Sequence, residues 1–205
     1  MYSVKLSRME ANIMIVEGAA ATGKTTLCTV LVRRIAAMQK VPSLHSFRQS
    51  STYHPLNPDC PDSKPSPETT KKHLNKLLTQ VVSLASSPGY ILLESLVWTL
   101  WMRPGGLDRQ WLSGYESKLA DLGARVLLVS PTESRHRQQL LERSGTEFYG
   151  IYGRRYGHSE SEVIEYYLNE QKAFRALARS STLNSMILDT FSDHAVDQAF
   201  DFWAS

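Results

Sequence analysis

Hydrophobic and polar positions alternate along the chain between two regimes. Short solid apolar runs are followed by longer stretches whose apolar residues recur every three or four positions. The runs Ile13-Met14-Ile15-Val16, Tyr90-Ile91-Leu92-Leu93, Val126-Leu127-Leu128-Val129 and Met186-Ile187-Leu188 predict buried strands at about 12–17, 90–94, 124–130 and 186–189. A weaker strand is predicted at 41–48. Between them, helical spacing predicts helices at about 23–39, 67–86, 96–102, 108–122, 131–143, 161–179 and 193–203. In the first of these, Leu27, Val30, Leu31, Ile35 and Met38 form the apolar stripe, and Arg33, Arg34 and Lys40 gather towards the end that the helix dipole makes negative. Strand–helix alternation of this kind predicts an α/β fold: a five-stranded parallel sheet between helical layers, without internal repeats.

Two segments break the alternation. Residues 49–68 hold five of the nine prolines and much Ser, Asn and Asp. Residues 144–159 are rich in Gly, Tyr and Arg. Connections of this length in a compact domain usually carry function. Residues 49–75 are therefore read as an acceptor-binding region and 143–160 as a helical or loop lid, within one domain covering 1–205.

The segment Glu17-Gly18-Ala19-Ala20-Ala21-Thr22-Gly23-Lys24-Thr25-Thr26 lies between the first strand and the first helix. It fits G-x-x-x-x-G-K-[ST], the phosphate-binding loop or P-loop. The glycines let successive N–H groups turn inward at a triphosphate. Lys24 is the cation for the β- and γ-phosphates, and the Thr25 hydroxyl suits Mg²⁺. The following helix contributes its dipole to the same anion site. The candidate nucleotide contacts are Gly18, Ala19, Ala20, Ala21, Thr22, Gly23, Lys24, Thr25 and Thr26.

Glu94 ends the third strand, at the edge where open α/β sheets bind ligands. It is a candidate metal ligand together with Thr25, or a general base. Arg135, Arg137 and Arg143 lie on the helix after strand 4, and Arg154 and Arg155 in the lid. Arginines closing from a lid can stabilise the charge that phosphoryl transfer spreads over equatorial oxygens. Arg143 and Arg154 are therefore catalytic candidates beside Lys24 and Glu94, and Arg155 an acceptor contact. Arg48 ends strand 2 and is a candidate anchor for an anionic acceptor. Trp98 and Trp101 share a helix face, where they either stack on a base or pack in the core.

Composition narrows the setting. The chain has 205 residues, 42% hydrophobic and 21% charged, with a net charge of +3 and a pI of about 8.8. That mild basicity suits phosphate handling and permits nucleic-acid contact. No apolar run approaches the roughly 20 residues of a membrane helix, and the N-terminus lacks a signal-peptide core. Cys28 and Cys60 have no metal-ligand spacing, and Cys28 reads as a buried small hydrophobe. A reduced, cytoplasmic protein without a membrane partner is expected. A homodimer is left open.

The order of these parts resembles the P-loop kinases of the thymidylate kinase and deoxynucleoside kinase group, over residues 12–190. After the P-loop, the best local match is Pro131-Thr132-Glu133-Ser134-Arg135-His136-Arg137 followed by Arg143. The resemblance implies a P-loop NTPase three-layer α/β/α sandwich, with ATP and Mg²⁺ as cofactors. It also implies that Arg137 stacks on the adenine and Arg48 contacts the acceptor phosphate. Three departures set the chain apart. Ser95 stands where the group has Arg, Ala19-Ala20-Ala21 offers no acid inside the loop, and Gln49-Ser50 replaces the glutamate of nucleoside kinases.

A monophosphate is already substantially ionised at pH 7, with a second pKa of about 6, and needs no base. Arg48 without a strand-2 carboxylate thus leans towards a phosphorylated acceptor, and Glu94 keeps a hydroxyl acceptor open. The expected activity is γ-phosphoryl transfer from Mg-ATP to a nucleoside monophosphate or nucleoside-like acceptor. Two alternatives remain. One is phosphorylation of a hydroxymethylated pyrimidine in DNA, with the tryptophans holding a flipped base. The other is a nucleotide-dependent switch, weakened by the absence of an N-K-x-D guanine motif.

Overall fold

The computed structural model describes residues 11–38, 43–52, 65–102, 106–143, 157, 159–189 and 192–205. Five parallel strands form one sheet: β1 (Ala11–Glu17), β2 (Leu44–Phe47), β3 (Gly89–Glu94), β4 (Arg125–Val129) and β5 (Asn184–Leu188). The spatial order is β2-β3-β1-β4-β5. The order reverses direction beside β1, so the carboxyl end of β1 opens at a topological switch point, where such sheets bind ligands. Register is continuous across the middle, with Met14 opposite Leu92 and Arg125, and Val16 opposite Glu94 and Leu127.

Strand side chains alternate between the two faces, and both faces are apolar. Ile13, Ile15, Ile91, Leu93, Val126 and Leu128 point to one side. There they pack with α3 (Pro67–Ala85), α4 (Val97–Met102), α5 (Arg109–Asp121) and α7 (Glu160–Ser180), through residues such as Leu74, Trp98, Leu119 and Phe174. Met14, Val16, Leu92, Leu127 and Val129 point the other way. They meet Leu27, Leu31 and Ile35 of α1 (Lys24–Ala36) and Ala199 and Trp203 of α8 (Asp193–Ala204). The solid apolar runs seen in the sequence are therefore the mark of a sheet covered on both sides. The Trp203 indole donates to the Asn12 carbonyl at 2.9 Å, tying the last helix to the first strand.

A third cluster joins α6 (Glu133–Arg143) to α7 through Leu140, Val163, Ile164, Tyr167 and Leu168. Ala20 and Ala21 of the P-loop pack against it. The small side chains that make the loop look featureless in sequence are what lets α7 lie this close.

Element boundaries agree with the sequence expectation to within two or three residues, with one exception and one offset that has a physical cause. Residues 49–52, read as loop, form the short helix α2 (Gln49–Thr52). The backbone N–H groups of Ser51 and Thr52 close onto the Arg48 carbonyl. Strand β5 begins earlier than its apolar run, at Asn184, because Arg125 and Val126 of β4 pair with Asn184 and Ser185 at the sheet edge. Edge strands tolerate polar residues, so hydropathy hides them. The segment 53–64, Cys60 and the expected lid at 144–156 lie outside the described residues.

Helix α7 starts at a complete capping box. The Ser159 hydroxyl accepts from the Glu162 N–H, and the Glu162 carboxylate accepts from the Ser159 N–H. Ser159→Ala should cost about 1 kcal/mol, lowering Tm by about 2–4 °C in thermal unfolding followed by circular dichroism. An unchanged midpoint would mean that the first turn of α7 frays before the fold melts.

Candidate active site

The P-loop leaves β1 at Gly18, whose φ of 146° and close packing both require glycine. A Cβ there would lie 2.4 Å from the Val129 carbonyl oxygen. Ala21 (φ 63°) and Gly23 (φ 93°) also adopt left-handed backbone, and this curls the loop. The Thr22 hydroxyl donates to the Ala19 carbonyl at 2.9 Å and pins the curl from within. Gly23 caps α1, so the first helical N–H groups open towards the loop.

Lys24 donates to the loop's own Gly18 and Ala19 carbonyls at 2.7 and 2.8 Å. Desolvation holds its pKa below the usual lysine value, with Glu170, Glu17 and Glu94 pulling the other way. Next to it the Thr25 hydroxyl donates to the Glu94 carboxylate at 2.5 Å. Glu94 is only 2% exposed. Its second oxygen lies 3.8 Å from Arg48 Nη1, which has no hydrogen-bond partner, while Arg48 Nη2 donates to Thr29 at 3.3 Å. The Thr52 hydroxyl of α2 donates to the Glu94 backbone carbonyl, so the short helix missed in the sequence helps set this strand end.

Thr25 and Glu94 are a pair of hard oxygen donors, the type Mg²⁺ selects when phosphate and water complete its octahedron. Among the described residues, no group of three or more His, Cys, Asp or Glu side chains could hold a metal by itself. The residues present therefore fit a metal delivered with a phosphate ligand.

Two residues that the sequence did not single out are central to this geometry. Glu17, the last residue of β1, is fully buried. Its Oε1 accepts from the N–H groups of Leu96 and Trp98, both at 2.9 Å, and its Oε2 accepts from the Thr99 hydroxyl at 2.7 Å. Burial raises its pKa against the opposing effect of these three donors. Glu170, on α7, is 6% exposed and lines the cleft over the P-loop together with Gln49, Ser95, Thr99, Arg143, Tyr167 and Phe174. A buried acid beside an apolar run is a legible signal in Glu17, since it ends a strand otherwise free of charge. Glu170 lies mid-helix among other polar residues and gives no such signal.

The other expected residues divide. Arg143 lines the cleft. Arg137 does not: it is half exposed and pairs with Glu165 of α7 at 2.6 Å. Arg135 and Gln139, one turn apart on another face of α6, line the recess beside Thr22, Leu188 and Asp189. Trp98 is a correction. It is 0% exposed in the main core, so it packs there and presents no face to an acceptor. Trp101 is also taken up by packing, its indole donating to Glu116 at 2.9 Å and its ring lying under the Arg109 guanidinium. Arg154 and Arg155 lie outside the described residues.

Solved structures share this architecture. The YorR protein of Bacillus subtilis, solved in complex with phosphorylated GDP, superposes with a TM-score of 0.58 at 16% identity, covering 94% of this chain and 95% of its own. A gluconokinase from Sinorhizobium meliloti 1021 gives a TM-score of 0.53 at 11% identity, over 97% and 94%. The chain has their fold. No family profile matches the sequence, and no curated protein matches it. At such identities the likeness speaks for the α/β architecture, while the chemistry rests on the side chains above.

Glu17 supplies a test of that chemistry's frame. Glu17→Ala would strand three buried donors and should destabilise the fold by on the order of 3 kcal/mol. Glu17→Gln keeps the shape and removes the charge. Because burial raises the folded-state pKa of Glu17, the folded chain holds this proton to higher pH than the unfolded one. The associated stability is fully present below the unfolded pKa and is lost as pH rises through the folded value. Urea midpoints measured across pH 4–8 should therefore fall less steeply with pH in Glu17→Gln than in the unaltered chain. Parallel curves would refute the assignment.

Proposed function

We propose that the chain is an ATP-dependent kinase, transferring the γ-phosphoryl group of Mg-ATP to a nucleoside monophosphate or nucleoside-like acceptor. The observation that carries this reading is the grouping of Lys24, Thr25 and Glu94 around a glycine-curled loop at the switch point of the sheet. The kinase among the structural neighbours and the phosphorylated nucleotide bound by the other support it.

The bound Mg-ATP would supply the reactive phosphoryl group and the metal charge that neutralises it. The loop N–H groups from Gly18 to Thr26 would cradle the phosphates. Lys24 would exchange its two loop carbonyls for phosphate oxygens. Thr25 and Glu94 would turn their oxygens from each other to the metal. Arg137 is assigned to adenine stacking by the resemblance alone, and its pairing with Glu165 would have to break for it.

On the acceptor side, Arg48 brings a partly exposed side chain whose Nη1, itself buried, lies beside Glu94 without a hydrogen-bond partner. Gln49, Ser95 and Thr99 add neutral hydrogen-bonding groups around the cleft. Arg143 lies where it can offset charge developing during transfer; Arg154 is assigned to the same catalytic role and Arg155 to the acceptor on the sequence alone. The burial of Trp98 and the packing of Trp101 against Glu116 and Arg109 weigh against the flipped-base alternative, which keeps the basic pI and the missing acceptor motifs in its favour, so free nucleotides and nucleosides rank ahead of modified DNA.

Transfer of label from [γ-³²P]ATP with Mg²⁺ to a panel of deoxynucleosides, monophosphates and DNA with hydroxymethylated pyrimidines tests the reading. One free acceptor should be labelled, and Lys24→Ala should lower its turnover by about 10²–10³-fold while leaving the melting curve intact. Undiminished turnover in that variant, or nucleotide binding without transfer to any acceptor, would overturn it.

A further inference from the structure

His136 on α6 is 0% exposed and sits between two oxygen atoms. Its Nε2 faces the Ala20 carbonyl of the P-loop at 2.8 Å, and its Nδ1 faces Gln171 Oε1 of α7 at 2.6 Å. The Gln171 amide cannot be turned over without loss. Its Nε2 donates to the Pro131 carbonyl at 2.5 Å and to the Ser130 hydroxyl at 2.9 Å, and a carbonyl only accepts. Arg175 fixes Ser130 in turn, donating to its hydroxyl and its carbonyl, both at 2.7 Å. A rigid polar chain thus runs from Arg175 through Ser130, Gln171 and His136 to the loop.

Both ring nitrogens therefore face acceptors. A neutral imidazole carries one N–H and satisfies only one of them; the other oxygen then meets a lone pair, in a place water does not reach. Only the imidazolium satisfies both. Burial and the Lys24 charge oppose that form, while Glu170 favours it, and the net effect holds the pKa below the ordinary histidine value. The charged and titratable neighbours are Lys24 on α1, Glu170 on α7, Arg175 at the far end of the polar chain beyond Gln171 and Ser130, Tyr167 in the cluster against which Ala20 packs, and Arg135 and Arg137 on α6 itself. A negative charge brought near the ring would favour the imidazolium.

We propose that His136 is a positioning residue for the phosphate-binding loop, which takes up one proton from solvent as a triphosphate enters and then donates to Ala20 and Gln171 together. A peptide unit is planar and trans, so holding the Ala20 carbonyl against His136 turns the N–H of Ala21, a residue lining the cleft, away from the ring. That N–H belongs to Ala21, the non-glycine residue of the loop with φ of 63°. The entering phosphate charge favours the imidazolium, and the imidazolium fixes the peptide that meets the phosphate. The proton adds to the ring's bare nitrogen, and no bond between heavy atoms changes. The proposal rests on the reading of residues 18–26 as a triphosphate site.

Calorimetry of Mg²⁺-tripolyphosphate binding to the full chain, in buffers of different ionisation heat, tests it without catalysis and without assuming which base is bound. His136→Gln is the comparison, because its amide can still donate to Ala20 but does not titrate. Titration of the phosphate itself and of Lys24 is common to both chains. The unaltered chain should take up nearly one proton more than the variant. Its affinity should also gain up to tenfold per pH unit as pH falls between the bound-state and free-state pKa values, a slope missing from the variant. Imidazole ¹⁵N shifts of His136 in the unaltered chain should move from neutral to doubly protonated on adding the same probe, which guards against a variant that fails to fold. Equal proton uptake in both chains, or a ring that stays neutral, overturns the His136 assignment alone. A chain that does not bind the probe overturns the phosphate-site reading, and this proposal with it.

Discussion

The buried carboxylate of Glu17 is the constraint on which the rest of the site depends. A charge taken out of water is costly unless its lone pairs are filled, and here they are filled by the opening turn of α4. The consequence is geometric. β1 cannot end, the P-loop cannot begin and α4 cannot start except in one mutual arrangement. Ser95, held at φ 56° with its N–H on the Val16 carbonyl, is the corner that this arrangement forces on the chain between β3 and α4. Glu94, immediately before that corner, is thereby aimed at Thr25.

Around this frame the charges are compensated internally. Lys24 occupies itself with two carbonyls of its own loop, Thr25 with Glu94, and Arg48 stands near Glu94 at a distance too long for a hydrogen bond. Each of these contacts would have to be exchanged if a phosphate or a metal entered, an oxygen or a nitrogen turning from an internal partner to an external one.

Much of this was legible in the sequence because it is local. The P-loop spacing, the strand-end position of Glu94 and the covered sheet all follow from residues close together in the chain. What stayed hidden depends on long-range contact. His136 and Gln171 are 35 positions apart, and Glu17 meets Thr99 across 82. Trp98 and Trp101 looked alike as neighbours on one helix face, yet the core takes Trp98 whole while Trp101 reaches out to Glu116 and Arg109. Arg137 and Arg135 are two residues apart on one helix, and that offset of over half a turn decides which of them borders the recess beside the loop. Pattern gives the face of a helix only when the neighbouring element is known.

Cys28 lies on the sheet-facing side of α1 with no exposed surface, among Met14, Leu31 and Ile35, and burial pushes its thiol up to about 12. At neutral pH it is therefore neither ionised nor reachable by a modifying reagent. It becomes reactive only when the helix carrying Lys24 and Thr25 lifts from the sheet. The rate at which this thiol is alkylated is thus a clock for openings of the layer that carries α1, wound into the fold by the same packing that holds the helix on the sheet.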